Sequence, residues 1–190
     1  MKKRANIGEL MKNGQGLKGF EWPENCGDFD MRIARDGTWF YQGSPIGRKE
    51  LCQLFATVLQ RDNKGKYWLV TPAERGEIMV DDAPFTAVEM HVDNKGNDKT
   101  QKIHFRTNLD HWICVDAAHE ITVKFSEGDR TPAPCVHVRD GLCALIVRSV
   151  FYDLVELANL QETINGKILL NVFSNGKMYF IGECDKNDLS

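Results

Sequence analysis

No stretch of the 190-residue sequence approaches the roughly 20 consecutive apolar residues that a membrane-spanning helix needs, so no membrane role is expected. The basic cluster Lys2-Lys3-Arg4 runs into the mixed Ala5-Asn6-Ile7-Gly8-Glu9, which lacks the hydrophobic region of an export signal. A cytoplasmic location follows. Positive charge is not in excess: the formal net charge is -3, and no basic stripe with interleaved surface aromatics occurs, which excludes nucleic acid as an expected partner. Cys26, Cys52, Cys114, Cys135, Cys143 and Cys184 form no C-x-x-C. Without an export signal they read as reduced, packed side chains rather than a disulfide framework.

Motifs that carry chemistry are missing too. There is no G-x-S-x-G, and Gly14-x-Gly16-x-x-Gly19 precedes no strand and helix in the order that cradles a phosphate. His91, His104, His111, His119 and His137, with Cys114 and Cys135, offer metal-binding side chains but not the compact pairs of structural zinc. Cys143 reads as packed. No catalytic residue, metal or cofactor is expected.

What is present is a globular composition, 42% hydrophobic and 27% charged, and a regular layout. Residues 1–20 read as an N-terminal arm with a short helical turn at Ile7 to Met11. Met31 and Ile33 read as a strand that turns at Arg35-Asp36-Gly37 into a second, Thr38 to Tyr41. Ser44-Pro45 reads as a helix opening, hydroxyl cap then proline, with the helix continuing through Leu51, Phe55 and Leu59 to Asp62-Asn63. Strands Tyr67 to Thr71 and Glu77 to Val80 follow. Asp81-Asp82-Ala83-Pro84 breaks the pattern and marks a domain boundary, giving domains over 21–84 and 85–190.

The second domain reads as a larger antiparallel sheet, from Phe85 to Val138, then a core helix from Val138 to Ala158. Leu142, Leu145, Ile146, Val150, Leu154 and Leu157 recur at three-and-four spacing, with Arg148, Tyr152 and Glu156 on one polar stripe. A hairpin around Asn175-Gly176 ends the chain. Ile33 to Gly37 and His137 to Gly141 each place R-D-G ahead of a helix, a Gly-Lys and a hairpin. The fold class is therefore α+β, two domains with a duplicated strand-helix-hairpin core.

The phrases DGTWFYQGSPIGRKEL (Asp36 to Leu51), LVTPAERGEIMVDDAPF (Leu69 to Phe85), FRTNLDHW (Phe105 to Trp112) and VRDGLCALIVRSVFYDLVELA (Val138 to Ala158) together resemble the bacterial domain-of-unknown-function family 1285. The resemblance runs from Trp22 to Gly182. It implies a second domain superficially like pleckstrin-homology-like folds, a nucleotide-like ligand at the domain interface and a role in signal transduction. On this sequence the implied interface phrases are Thr71 to Arg75, with Glu74, and Arg106-Thr107-Asn108, beside Arg139 and Arg148.

Arg139 and Arg148 are also candidates on their own chemistry, because a guanidinium fork suits phosphate or carboxylate. The bland alternative pairs Arg148 with Asp153 or Glu156, and leaves Glu74, Arg75 and Glu77 as a solvated turn. The leading expectation is a non-catalytic binder of a small anionic, nucleotide-like ligand, using Thr71, Glu74, Arg75, Arg106, Thr107, Asn108, Arg139, Arg148 and Tyr152. Two alternatives stand beside it: a protein-interaction module that offers its second-domain sheet to a peptide, and a hydrolase or transferase that relies on His111, His119 or Glu74.

Overall fold

The computed structural model describes residues 26–125, 132–164 and 166–185. The expected arm over 1–20 lies outside them, as do residues 126–131 of the expected loop from Ser126 to Pro134. The chain folds as two compact units, one ending at Asp81 and one beginning at Asp82, except that Arg35–Gly37 belongs to the second.

In the first unit β1 (Cys26–Ile33), β2 (Trp39–Tyr41), β3 (Ser44–Pro45), β4 (Leu59–Arg61), β5 (Tyr67–Val70) and β6 (Arg75–Val80) make one sheet in the order β3-β2-β1-β6-β5-β4. Helix α1 (Lys49–Thr57) buries Cys52 and Ala56. Alternation decides the faces: Ile33, Trp39 and Ile78 are buried, whereas their neighbours Arg32, Phe40 and Met79 face the other way. Trp39 stacks on Phe55 of α1, ring centroids 6.1 Å apart.

The helix is shorter at both ends than the sequence reading. Ser44-Pro45 is a sheet edge paired with Tyr41 and Phe40, a place where a residue without an N–H does no harm. At the other end Asp62 captures the chain: its Oδ1 accepts the N–H groups of Lys64 and Lys66, and its Oδ2 accepts the Trp68 indole N–H. That turn closes Leu59–Arg61 onto Tyr67–Leu69, and Leu59 is fully buried as a strand residue. Phe29 lies flat on Gly76, where a Cβ would fall 2.3 Å from its ring.

In the second unit β7 (Phe85–Asp93), β8 (Lys102–Thr107), β9 (Trp112–Cys114), β10 (Ile121–Phe125), β11 (Pro132–Arg139) and β12 (Leu142–Ile146) make a sheet in the order β10-β11-β12-β7-β8-β9. Helix α2 (Arg148–Val155) and a three-stranded sheet of β13 (Asn159–Glu162), β14 (Lys167–Ser174) and β15 (Lys177–Asp185) complete it. The six-stranded sheet is mixed rather than antiparallel, because β12 pairs parallel with β7. The first unit likewise contains a parallel pair, β1 with β6.

The largest correction concerns Val138 to Ala158. Asp140 and Gly141 both have positive φ, 44° and 75°, which ends any helix and makes the tight hairpin that Asp-Gly favours. Leu142, Ala144 and Ile146 are then buried alternately on a strand, and only Arg148–Val155 is helical, with Val150 and Leu154 inward. Cys143 therefore lies on β12, and Arg148 opens the helix instead of standing two turns inside it. Glu156 to Ala158, expected as more helix, form the turn that leads into β13.

Candidate functional site

The expected site residues fall into separate structural settings. Thr71 and Glu74 close one tight turn: the Thr71 hydroxyl donates to the Glu74 carbonyl at 3.0 Å and accepts its N–H at 3.2 Å. Arg75, opening β6, lies over the Trp68 ring, 5.1 Å from its centroid. These three belong to the first unit.

Arg106, Thr107 and Asn108 are committed to structure. Arg106 bonds Glu89 at 2.6 Å and Asp110 at 2.7 Å, and those two carboxylates raise its pKa. Thr107 is buried, and its hydroxyl accepts the His111 N–H. Asn108 is a buckle for the Arg35-Asp36-Gly37 turn: Nδ2 donates to the Gly37 carbonyl and Oδ1 accepts the Thr86 N–H. A Cβ at Gly37, whose φ is 86°, would sit 2.5 Å from that Nδ2. This turn therefore requires glycine.

Arg139 ends β11, partly buried, with the Asp140 carboxylate 4.0 Å away. Burial lowers its pKa, partly offset by Asp140. The imidazole of His111 is pushed below its ordinary value by burial, then by His119 and Arg139. His119 donates from Nδ1 to the His137 carbonyl, and His137 donates from Nδ1 to the Ala118 carbonyl, which leaves its Nε2 to accept the Gly141 N–H. Of the histidines named in the catalytic alternative, His119 has its Nδ1 engaged by a backbone carbonyl.

Arg148 differs from the other arginines. It does not pair with Asp153 or Glu156 as the bland reading has it. Its Nε donates to the Tyr152 hydroxyl at 2.7 Å, and its guanidinium lies 5.6 Å from that ring's centroid. No other partner holds its two terminal nitrogens among the described residues. Helix α2 has no side-chain cap at Val147 and no acidic residue in its first turn, so its N-terminal amides and this fork are the positive features of one exposed spot.

His91 and His104 face each other across β7 and β8, and each bonds an oxygen of Asp93 at 3.1 Å. Among the described residues no group of three or more His, Cys, Asp or Glu is placed to hold a metal ion. Nor is any helix there long and apolar enough to cross a membrane.

Sequence reasoning missed a groove of about 690 Å³ in the first unit, on the sheet face where Arg32, Phe40, Trp68 and Met79 emerge. The available signal was Met79, an apolar side chain on the polar face of a strand.

A family model described as the N-terminal domain of a domain of unknown function, DUF1285, matches residues 21–83, and the corresponding C-terminal model matches residues 84–181. The chain belongs to the DUF1285 family. A crystal structure of a DUF1285 protein from Silicibacter pomeroyi is 34% identical, covers 98% of this chain and 99% of its own, and superposes with a TM-score of 0.76. A second, from Shewanella baltica, is 22% identical and covers 68% of this chain and 92% of its own, with a TM-score of 0.53; it speaks to the fold alone. No curated protein matches.

Proposed function

We propose that this DUF1285 protein is a non-catalytic binder of a small anionic ligand, nucleotide-like in carrying a phosphate or carboxylate, and that the ligand is held at the start of α2. The observation that carries this reading is the Arg148 fork, held through Nε by Tyr152 and with no partner for its terminal nitrogens among the described residues, in the first turn of a helix that has no side-chain cap. Preorganised forks and helix N-termini both favour such anions. Arg139 pairs with Leu142 at the far end of β12 from Arg148, which removes it from this site. Arg106, Thr107 and Asn108 serve the scaffold, which removes them from the ligand set. A role in signal transduction rests on the resemblance, with occupancy of the site as the signal.

The two units are read as copies of one plan. Each runs strand, R-D-G turn, strand, helix, strand, hairpin: β1 to β6 in one and β11 to β15 in the other, with β3 the extra element of the first. The likeness to pleckstrin-homology-like folds is carried by the resemblance, with support from a sheet that precedes a helix.

A thermal-shift panel of nucleotides and phosphorylated metabolites tests the binding role. Some member should raise the melting temperature, and Arg148→Ala should abolish the gain while the unliganded protein melts as before. A flat response across the panel at millimolar concentration contradicts the proposal.

The second reading, a peptide-binding module, is favoured by β13, an edge strand with all four residues exposed. Its backbone edge suits strand addition. A partner captured by wild type and lost on Leu160→Pro, with no small-molecule shift, would select it.

A further inference from the structure

The three-stranded sheet of the second unit has an edge strand exposed along its whole length. β15 lies against β10, whereas β13 forms the opposite border, and all four of its residues are exposed. Other edges are blunted: β3 carries Pro45 and β4 ends on Arg61, two devices that discourage a further strand. β13 has no proline and no basic residue, and it pairs with β14 from Asn159 to Glu162 without a bulge.

The direction of its backbone groups follows from the turn beside it. Thr163 donates its N–H to the Lys167 carbonyl at 2.8 Å, and Gly166 closes the turn by donating to the Thr163 carbonyl at 3.0 Å. From that hydrogen-bonded pair the antiparallel alternation turns the N–H and C=O of Gln161 and Asn159 toward β14, and those of Leu160 away from it. Side chains alternate as well. Leu160 and Glu162 stand opposite Leu170 and Ile168, on the sheet face where Ile168, Leu170 and Val172 are buried. Leu160 is nevertheless 57% exposed, because the sheet ends there. A core-side leucine at a border lacks the neighbour that one more strand would supply.

The charge around this border has one sign. From Ser149 to Gly166 the chain carries Asp153, Glu156 and Glu162 and no lysine or arginine. The last turn of α2 has no basic residue either, so the partial negative charge of its carbonyl end adds to the field where the chain turns into β13. The next lysine along the chain, Lys167, is paired with Glu183. A second copy of the chain would set this acidic border against itself, which selects a basic partner instead.

We propose that β13 takes an extended basic peptide as an added antiparallel strand, with an arginine or lysine opposite Glu162 and, two residues later, an aliphatic side chain opposite Leu160. This rests on the peptide-binding reading of the same edge and adds to it the charge and the order of the partner's side chains. Backbone bonds supply the affinity of such a strand and alternate side chains its selectivity.

Titration of the full chain with the capped peptide Ser-Thr-Arg-Thr-Val-Thr, followed by backbone amide shifts in about 150 mM salt, tests the proposal. Saturable shifts should cluster at Asn159–Glu162. Glutamate in place of the peptide's arginine should weaken binding by about five-fold or more, and the double variant Glu156→Lys, Glu162→Lys should invert that preference. N-methylation of alternate peptide residues should abolish binding in one phase and leave it intact in the other. Three results would overturn the proposal. No saturable binding by either peptide removes the peptide-binding reading too; equal binding of both peptides leaves that reading and removes the charge rule; shifts away from β13, or indifference to N-methylation, remove the added strand.

Discussion

At the residue scale, the arginines show how local bonding separates a scaffold side chain from a candidate ligand contact. Arg106 spends its guanidinium on Glu89 and Asp110, whereas Arg148 spends one nitrogen on a phenol and leaves the fork open. The family resemblance nominated both, since neither the cross-strand position of Glu89 nor the i, i+4 reach of Tyr152 is visible without knowing which segments are strand and which helix. The same holds for Asn108, whose role depends on Gly37, 71 residues away. His111 supplies a pH prediction. Burial, His119 and Arg139 hold its folded pKa below the unfolded value, so the native state resists the proton that the unfolded state accepts. Its contribution is intact above about pH 6.5 and is lost as pH falls through the lower folded pKa. Urea unfolding at a series of pH values should show stability falling from about pH 7 to about pH 5, with a shallower fall for His111→Gln. An unchanged profile in the variant would remove His111 from the account.

At the element scale, the strands were legible where apolar and polar residues alternate between clear turns, as in β8, β10 and the hairpin of β14 and β15. Element ends were less so. Val138 to Ala158 satisfies a helical period and also contains alternating Leu142, Ala144 and Ile146; long-range pairing with Phe85–Ala87 settles it as strand followed by a short helix. The Asp140-Gly141 pair was the local clue. Substituting Gly141 by Ala decides between the two readings by sign. In a helix interior the change stabilises by roughly 0.5–1 kcal/mol. At a φ of 75° it should instead destabilise by about 1–2 kcal/mol, read as a lower urea midpoint at unchanged slope.

At the scale of the whole molecule, the resemblance located the family and the break at Asp81 to Pro84 marked the expected division of the chain, while the chemistry of the site had to come from side chains in place. The central claim is that an anion docks on the open fork at the start of α2. Following backbone amide shifts of the full chain during titration with pyrophosphate and with ADP tests it most directly. Saturable shifts at Arg148, Ser149 and Val150 that vanish in Arg148→Ala are the predicted result; a silent α2 start, or the same shifts persisting in the variant, would contradict it.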